Sequence, residues 1–106
     1  MKKFNNDIIV VGGKKFIYLV SIQKQNLINK LEIESTCCSL FCLLDGTLLL
    51  GDYDGYLHQY IFKDNNLEEI SKKEVHKSLI LCINQLNNGI VLSGSYDKTI
   101  NLYKNE

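Results

Sequence analysis

Two residues near the C-terminus have the types needed for acid–base chemistry. His76 and Asp97 could act as a general base and its orienting carboxylate, because an aspartate bonded to one imidazole nitrogen fixes the ring. No nucleophile stands at a suggestive position beside them. A carboxylate in a turn can equally accept hydrogen bonds from backbone N–H groups and an imidazole, a stable arrangement when every member is satisfied. We favour this structural role and predict no catalytic residues.

Four cysteines raise the question of a metal site. They stand at positions 37, 38, 42 and 82, and the histidines at 58 and 76 are further candidate ligands. A tetrahedral thiolate site takes ligand pairs two to four residues apart that converge from two turns. Cys37, Cys38 and Cys42 instead fall within one predicted strand, where neighbouring side chains point to opposite faces. We interpret the cysteines as small buried hydrophobic residues and predict neither a metal nor a cofactor.

Composition excludes several classes of function. The 106 residues are 45 % hydrophobic, carry a formal net charge of zero and include no arginine, the side chain that reads guanine edges and clamps phosphates. Nucleic-acid binding is therefore not expected. The apolar runs 8–11 and 16–22 are too short for a secretory signal or a membrane span. Reduced cysteines then predict a cytoplasmic protein, with a nuclear location left open.

The elements that position these residues come from an internal repeat. The segment GTLLLGDYDGYLHQYI, which starts at Gly46, returns 43 residues later as GIVLSGSYDKTINLYK. Short apolar runs separated by glycine, asparagine, aspartate and lysine predict strands joined by tight turns. The predicted strands are 7–12, 16–22, 27–33, 36–44, 47–51, 56–62, 67–71, 79–86, 90–95 and 99–103. A helix is an alternative only within 64–73. Four strands in about 43 residues match one blade of a β-propeller.

The last copy of the repeat resembles the WD40 family. A blade of that family carries a histidine before its inner strand, a serine or threonine on the second strand, an aspartate in the next turn and a tryptophan ending the third strand. These four form a buried hydrogen-bonded tetrad. The resemblance implies a structural tetrad of His76, Ser93 (or Ser95), Asp97 and Tyr103, with tyrosine in the place of tryptophan.

The earlier copies keep less of this pattern. In the middle copy the equivalent turn positions are Asp54 and Tyr60, whereas Ile33 stands where the family has histidine. Leu50 or Asp52 occupies the serine position, and the first copy has two lysines instead of the turn aspartate. WD40 propellers present side chains on their partner-binding face just before the turn aspartate. The resemblance therefore implies that Tyr53 and Tyr96 lie on such a face, and rigid amphipathic aromatics often anchor interfaces.

These observations predict an all-β fold, a partial WD40-like β-propeller of four-stranded antiparallel blades. With strands lettered a to d from the centre outward, the chain is expected to run bcd, abcd and abc. The blades fall at about 1–33, 34–76 and 77–106 of a single incomplete propeller. Because propellers close with at least four blades, we expect a fragment of a longer propeller, an assembly with itself or another propeller fragment, or an open stack inside a complex.

The predicted function is a non-catalytic scaffold for protein–protein interaction within a larger intracellular assembly. The alternative is a fragment of a ligand-binding or hydrolytic propeller, which would need charged residues converging on the central channel. The predicted inner strands offer mainly leucine, isoleucine and cysteine there. A subunit of an RNA-associated complex would need a basic stripe, which the sequence lacks. The partners expected are other proteins, with no nucleic acid and no membrane.

Overall fold

The computed structural model describes residues 2–3 and 7–104. The backbone is built from strands joined by short turns. The strands are β1 (Lys2–Lys3), β2 (Ile8–Gly12), β3 (Phe16–Ser21), β4 (Asn26–Glu32), β5 (Cys37–Cys42), β6 (Leu48–Asp52), β7 (Tyr56–Lys63), β8 (Asn66–Glu74), β9 (Ile80–Gln85), β10 (Ile90–Ser95) and β11 (Ile100–Lys104). In the described ranges no helix is long and apolar enough to span a bilayer.

The strands form three antiparallel sheets that follow one another along the chain. Sheet I contains β1 to β4, sheet II contains β5 to β8 and sheet III contains β9 to β11, each strand pairing with its neighbour in sequence. The segment 64–73, where a helix was the alternative, consists of a two-residue turn after β7 followed by most of strand β8. Asp64 and Asn65 both adopt positive φ angles, 53° and 61°, as a tight two-residue hairpin turn requires.

The prediction for the first sheet was incomplete by one strand. Lys2 and Lys3 pair with Val10 and Ile9, so sheet I has a short inner strand and the chain runs abcd, abcd and abc instead of starting at b. Two lysines carry no hydrophobic periodicity, and the strand is specified by backbone pairing alone. Such pairing leaves no signal in the sequence.

The hydrophobic core lies in two layers between the sheets. The first layer joins Ile8, Val10, Ile17 and Leu19 of sheet I to Leu48, Leu50, Tyr60 and Leu67 of sheet II. The second joins Leu49 and Leu57 of sheet II, with Leu43 of its first turn, to Ile80, Ile83 and Val91 of sheet III. Strand β6 is buried along its whole length, which explains why it reads as a continuous apolar run.

Glycines let adjacent sheets approach closely at one repeated position. A Cβ on Gly12 would lie 2.8 Å from the Cβ of Cys37, and one on Gly51 would lie 2.7 Å from Cγ2 of Ile80. Cys37 and Ile80 are themselves 43 residues apart, so the inner part of the next sheet sits against each glycine in the same way. Both positions need glycine for lack of space.

Candidate functional site

The predicted tetrad residues of sheet III come together around His76. Its ring is buried (3 % exposed) just before β9, with Nε2 2.9 Å from Oγ of Ser93 on β10. The other ring nitrogen, Nδ1, lies 3.2 Å from Oδ2 of Asp97, in the turn that follows β10. Ser95, the alternative to Ser93, has another role: its hydroxyl donates to the carbonyl of Leu79 and accepts from the N–H of Asp97. The histidine thus ties the start of sheet III to its second strand.

Thr99 is a member of this network that sequence reasoning missed. Its Oγ1 lies 3.0 Å from Nδ1 of His76 and donates to Oδ1 of Asp97 at 2.5 Å, while its N–H donates to the same oxygen at 2.9 Å. The signal was a threonine two residues after a turn aspartate, a pattern that lets one carboxylate oxygen accept from both groups. The turn between β5 and β6 has the same pattern, with Asp45 accepting from the N–H and the hydroxyl of Thr47.

Tyr103 lies apart from the other three predicted members. Its ring packs against the core layer between sheets II and III, and Nζ of Lys73 sits 3.7 Å from the ring centroid. Within residues 2–3 and 7–104 no hydrogen bond links its hydroxyl to His76, Ser93 or Asp97. The role of Tyr103 in the structure is packing, and Thr99 is the fourth member of the hydrogen-bonded network.

The Asp97 carboxylate is held in its ionised form by this network. The hydroxyl of Thr99, together with the N–H groups of Lys77 and Thr99 and the ring of His76, lowers its pKa well below the usual range. A carboxyl whose pKa falls on folding stabilises the fold above its unfolded pKa, about 4, and loses that contribution as the pH drops toward the folded value. The network is therefore a source of acid sensitivity.

We expect Asp97→Asn to lower the thermal unfolding midpoint at pH 7, because the amide cannot replace the ionised acceptor. The gap between the wild type and this variant should narrow as the pH falls from about 4 to about 2. Thermal unfolding followed by circular dichroism across this range measures the gap. Asp54→Asn at pH 7 controls for the loss of one negative charge. A gap that stays constant down to pH 2 would contradict the role assigned to the carboxylate.

Sheet II contains a second buried network that sequence reasoning did not identify. His58 on β7 is 5 % exposed; its Nε2 lies 2.7 Å from Oδ2 of Asp52, at the end of β6, and its Nδ1 lies 2.5 Å from Oε1 of Glu69 on β8. Asp52 is 2 % exposed, and its Oδ1 accepts from the N–H groups of Asp54 and Tyr56. Strands β6, β7 and β8 are thus linked through one imidazole.

The network of the middle copy is centred on Asp52, one of the two residues at the serine position, and not on the turn residue Asp54. Asp54, the predicted turn position, is exposed, and the carboxylate that organises the turn is that of Asp52. Asp52 lies 43 residues before Ser95, whose hydroxyl likewise accepts from the N–H two residues on. Tyr60 is 4 % exposed in the core, with its ring stacked on His58 at 6.4 Å and its pKa raised by burial. Its role is packing.

Both histidine rings belong to hydrogen-bonded networks inside the sheets. Each ring nitrogen of His58 and His76 already faces a protein oxygen, and both rings are buried. A general base must reach a substrate proton within hydrogen-bond distance. Across residues 2–3 and 7–104 every buried side-chain polar atom has a hydrogen-bond partner. The hydroxyl beside Nε2 of His76 belongs to Ser93, which is 1 % exposed, so it is not presented to a substrate. These arrangements can fix strands in register.

The four cysteines are thiols on two different sheets. Cys37, Cys38 and Cys42 lie on β5 and are partly buried. Cys82, on β9, is exposed, so the expectation that all four side chains are buried is wrong for this residue. Burial raises the pKa of Cys37 to about 11 and also raises those of Cys38 and Cys42, so these side chains hold their protons at neutral pH. In the described ranges no cluster of three metal-ligating side chains occurs.

Tyr53 and Tyr96 occupy equivalent turns and are the most exposed tyrosines described, at 57 % and 70 %. The N–H of Tyr53 donates to the carbonyl of Thr36 at 2.9 Å, and the N–H of Tyr96 donates to the carbonyl of Leu79 at 3.1 Å. Thr36 and Leu79 are also 43 residues apart, so the repeat pins both turns in the same way. The two rings therefore project from fixed backbones.

An open groove lies beside each of these turns, at the end of the sheets where the second strand leads into the third. The first has a volume of about 500 Å³ and is lined by Tyr53, Lys14, Lys15 and Glu34, among others. The second, about 280 Å³, is lined by Lys77 and by members of the His76 network. Lys72 donates to Glu34 at 2.9 Å and lowers the pKa of that carboxyl. These ends of the sheets thus combine exposed aromatic rings with grooves that are lined in part by charged residues.

No protein-family model and no curated protein sequence matches the chain. Solved structures do. A chain of the mitotic checkpoint complex matches 97 % of this chain with a TM-score of 0.86 at 14 % identity, over 34 % of its own length. The WD40 β-propeller domain of Doa1 matches 96 % with a TM-score of 0.80 at 16 % identity, again over 34 % of its length.

A designed protein shares the same architecture. The computationally designed Ika4 protein matches 96 % of this chain with a TM-score of 0.75 at 21 % identity, over 62 % of its own length. The chain thus spans about one third of two of these structures and less than two thirds of the third. The likenesses show the fold alone: the chain is all-β, and its three antiparallel sheets are arranged as in part of a WD40-like β-propeller.

Proposed function

We propose that the chain is a non-catalytic scaffold that binds other proteins within a larger, cytoplasmic assembly. The observation that carries this proposal is the pair of exposed tyrosines, Tyr53 and Tyr96, at equivalent turns of neighbouring sheets. The partners we propose are other proteins, among them a second copy of the chain or another propeller fragment. The blades are those of the sequence repeat, about 1–33, 34–76 and 77–106.

The two tyrosines have the properties of interface anchors. A tyrosine offers a large apolar ring and one hydroxyl, and few of its rotatable bonds must be fixed on binding. The backbone contacts to Thr36 and Leu79 already fix the turns, so little further ordering is needed when a partner binds. The polar grooves beside the rings supply hydrogen-bonding groups around the aromatic anchors, as at the rim of an interface.

The burial of the histidine networks supports a non-catalytic role over the enzymatic alternative. A hydrolytic propeller would need a nucleophile that faces a cavity and lies within reach of its base. His76 lines the smaller groove, yet the hydroxyl beside its Nε2 belongs to Ser93, which is 1 % exposed. One of the matching folds belongs to a chain of a multiprotein complex, which also supports a role in protein assembly.

The double variant Tyr53→Ala, Tyr96→Ala tests this function. It should lose most capture of partners from extracts of the protein's own cells, while the free energy of unfolding falls by no more than about 1 kcal/mol. Capture by the immobilised chain and urea unfolding of the free chain give the two readouts.

Leu44→Ala is the matched control. Leu44 is 69 % exposed in the turn between β5 and β6, at the end of sheet II opposite to the Tyr53 turn. Its loss should leave capture unchanged. The proposal fails if the double variant captures the same proteins as the wild type, or if it unfolds, because the tyrosines would then be structural.

A further inference from the structure

The outward face of sheet III is largely apolar and is partly exposed. We call it the trailing face and define it by Cys82, Leu92, Gly94, Ile100 and Leu102, with one polar residue, Asn84, beside them. Leu92 lies opposite both Leu102 and Asn84, and Gly94 lies opposite both Ile100 and Cys82, so these residues share one side of the sheet. Ile100 and Leu102 are 70 % and 59 % exposed. Isolated exposed apolar residues are common, but a contiguous patch across three strands marks an interaction surface.

The repeat shows what covers this face elsewhere in the chain. Leu49, Gly51 and Leu57 of sheet II lie 43 residues before Leu92, Gly94 and Ile100. Leu49 and Leu57 are 1 % and 2 % exposed because sheet III packs on them.

The same comparison holds for the glycines. Gly51 lies against Ile80 of the next sheet, whereas the neighbour found near Gly94 is Cys82 of its own sheet. In sheets I and II the corresponding face packs against the next sheet. The trailing face of sheet III is therefore one half of the same kind of interface.

The other half of that interface is present at the opposite end of the chain. We call it the leading face of sheet I and define it by Ile9, Val11, Tyr18 and Val20, which are all partly exposed. Ile9 lies opposite Val20 and Val11 lies opposite Tyr18, so they share one side.

The counterparts of this face in sheet II are buried. Aligned on the repeat, Ile9, Val11 and Val20 correspond to Leu48, Leu50 and Tyr60. These three pack against the preceding sheet and are 0 %, 1 % and 4 % exposed. One chain thus carries both unpaired halves of an interface that it forms twice internally.

We propose that the trailing face of one chain binds the leading face of a second copy, and that two copies close head to tail into a ring of six sheets. Head-to-tail contacts either close or propagate as fibres, and propellers close with four to eight blades, which two copies satisfy and three exceed. The proposal names a partner within the scaffold function proposed above. It uses the sheet faces and leaves the tyrosine turns free.

The mass of the chain in solution tests this. Sedimentation equilibrium at several concentrations should give about twice the chain mass of 12.2 kDa. Ile100→Lys, which places a charge in the trailing face, should give the single-chain mass. Leu44→Lys, at a site equally exposed but away from both faces, should keep the double mass. A wild-type chain that stays single at every concentration overturns the proposal, as does a mass that grows without limit.

Mixing two blocked variants tests the head-to-tail geometry. Tyr18→Lys blocks the leading face and Ile100→Lys blocks the trailing face, so each alone should be single. Their equimolar mixture should regain the double mass, since one intact half of each kind remains. If Tyr18→Lys alone keeps the double mass, the contact is not head to tail. Circular dichroism checks folding, and Val11→Lys replaces Tyr18→Lys if the latter does not fold.

Failure here can be told from failure of the scaffold function. The Tyr53→Ala, Tyr96→Ala variant should keep the double mass because neither side chain belongs to the two faces. A single-chain wild type that still captures partners through its tyrosines would remove the ring and leave the scaffold in place. If the wild type has the double mass but the Tyr53→Ala, Tyr96→Ala variant captures the same proteins, the ring stands and the scaffold function assigned to the tyrosines is overturned.

Discussion

Gly55→Ala is expected to lower the free energy of unfolding by more than about 4 kcal/mol, which is most of the stability of a small domain. Gly55 has a φ of +92° in the turn after β6, and an added Cβ would lie 2.7 Å from the carbonyl carbon of His76 and closer still to its oxygen. The Gly55 carbonyl also accepts from the N–H groups of Val75 and His76. The clash is with backbone, so relief requires moving the segment that places His76. Urea unfolding measures the loss.

Gly46→Ala is the matched control for this prediction. Gly46 has nearly the same φ, +89°, but nothing lies within 4 Å of its added Cβ. It should lose only the backbone strain of a left-handed conformation, about 1–2 kcal/mol. Equal losses in the two variants would mean that strain alone matters and that the contact between the turn and His76 does not hold sheets II and III together.

Most of the fold follows from local rules that act on short segments. The strands from β2 to β11 were predicted because each apolar run ends at turn residues, and the 43-residue repeat identified the sheets as copies of one unit. β8 was the least certain strand. It is mostly exposed and highly charged, and its turn uses Asp64 and Asn65 in place of an Asn-Gly pair. Positive φ at two such residues is allowed but is not announced by a glycine.

The polar networks were less predictable because they depend on distances between strands. The resemblance to the WD40 family implied His76, Ser93 and Asp97 as members of one network, and the structure brings these three together. Nothing in the sequence ranked Asp52 above Asp54, since the two aspartates flank one tyrosine and stand only two residues apart. The end of β6 decides between them: Asp52 is its last residue, on the same face as Leu50, which lies opposite His58, whereas Asp54 lies in the turn beyond the strand. The other ring nitrogen of His58, Nδ1, lies close to Glu69 on the outer strand, β8.

Asp52→Ala is expected to lower the free energy of unfolding by about 3–5 kcal/mol, because removing the acceptor at the centre of a buried hydrogen-bond network leaves its three partners unsatisfied. His58 would lose its contact at Nε2, and the N–H groups of Asp54 and Tyr56 would lose their shared acceptor. Asp54→Ala, two residues away and exposed, should change stability by no more than about 0.5 kcal/mol. Urea unfolding of both variants at pH 7 gives the comparison.

The opposite order of these two effects would restore Asp54 as the organising carboxylate of sheet II. Asp52→Asn separates the charge from the hydrogen bonds. The amide oxygen can still accept from the two N–H groups of the turn, so Asn should recover part of the loss if backbone capping dominates. If Asn is as damaging as Ala, the contact with His58 is the larger contribution. Sheet II is then held by an Asp–His–Glu network that is buried at Asp52 and His58, and sheet III by a histidine bonded to serine, threonine and aspartate. These are two solutions on one repeated backbone.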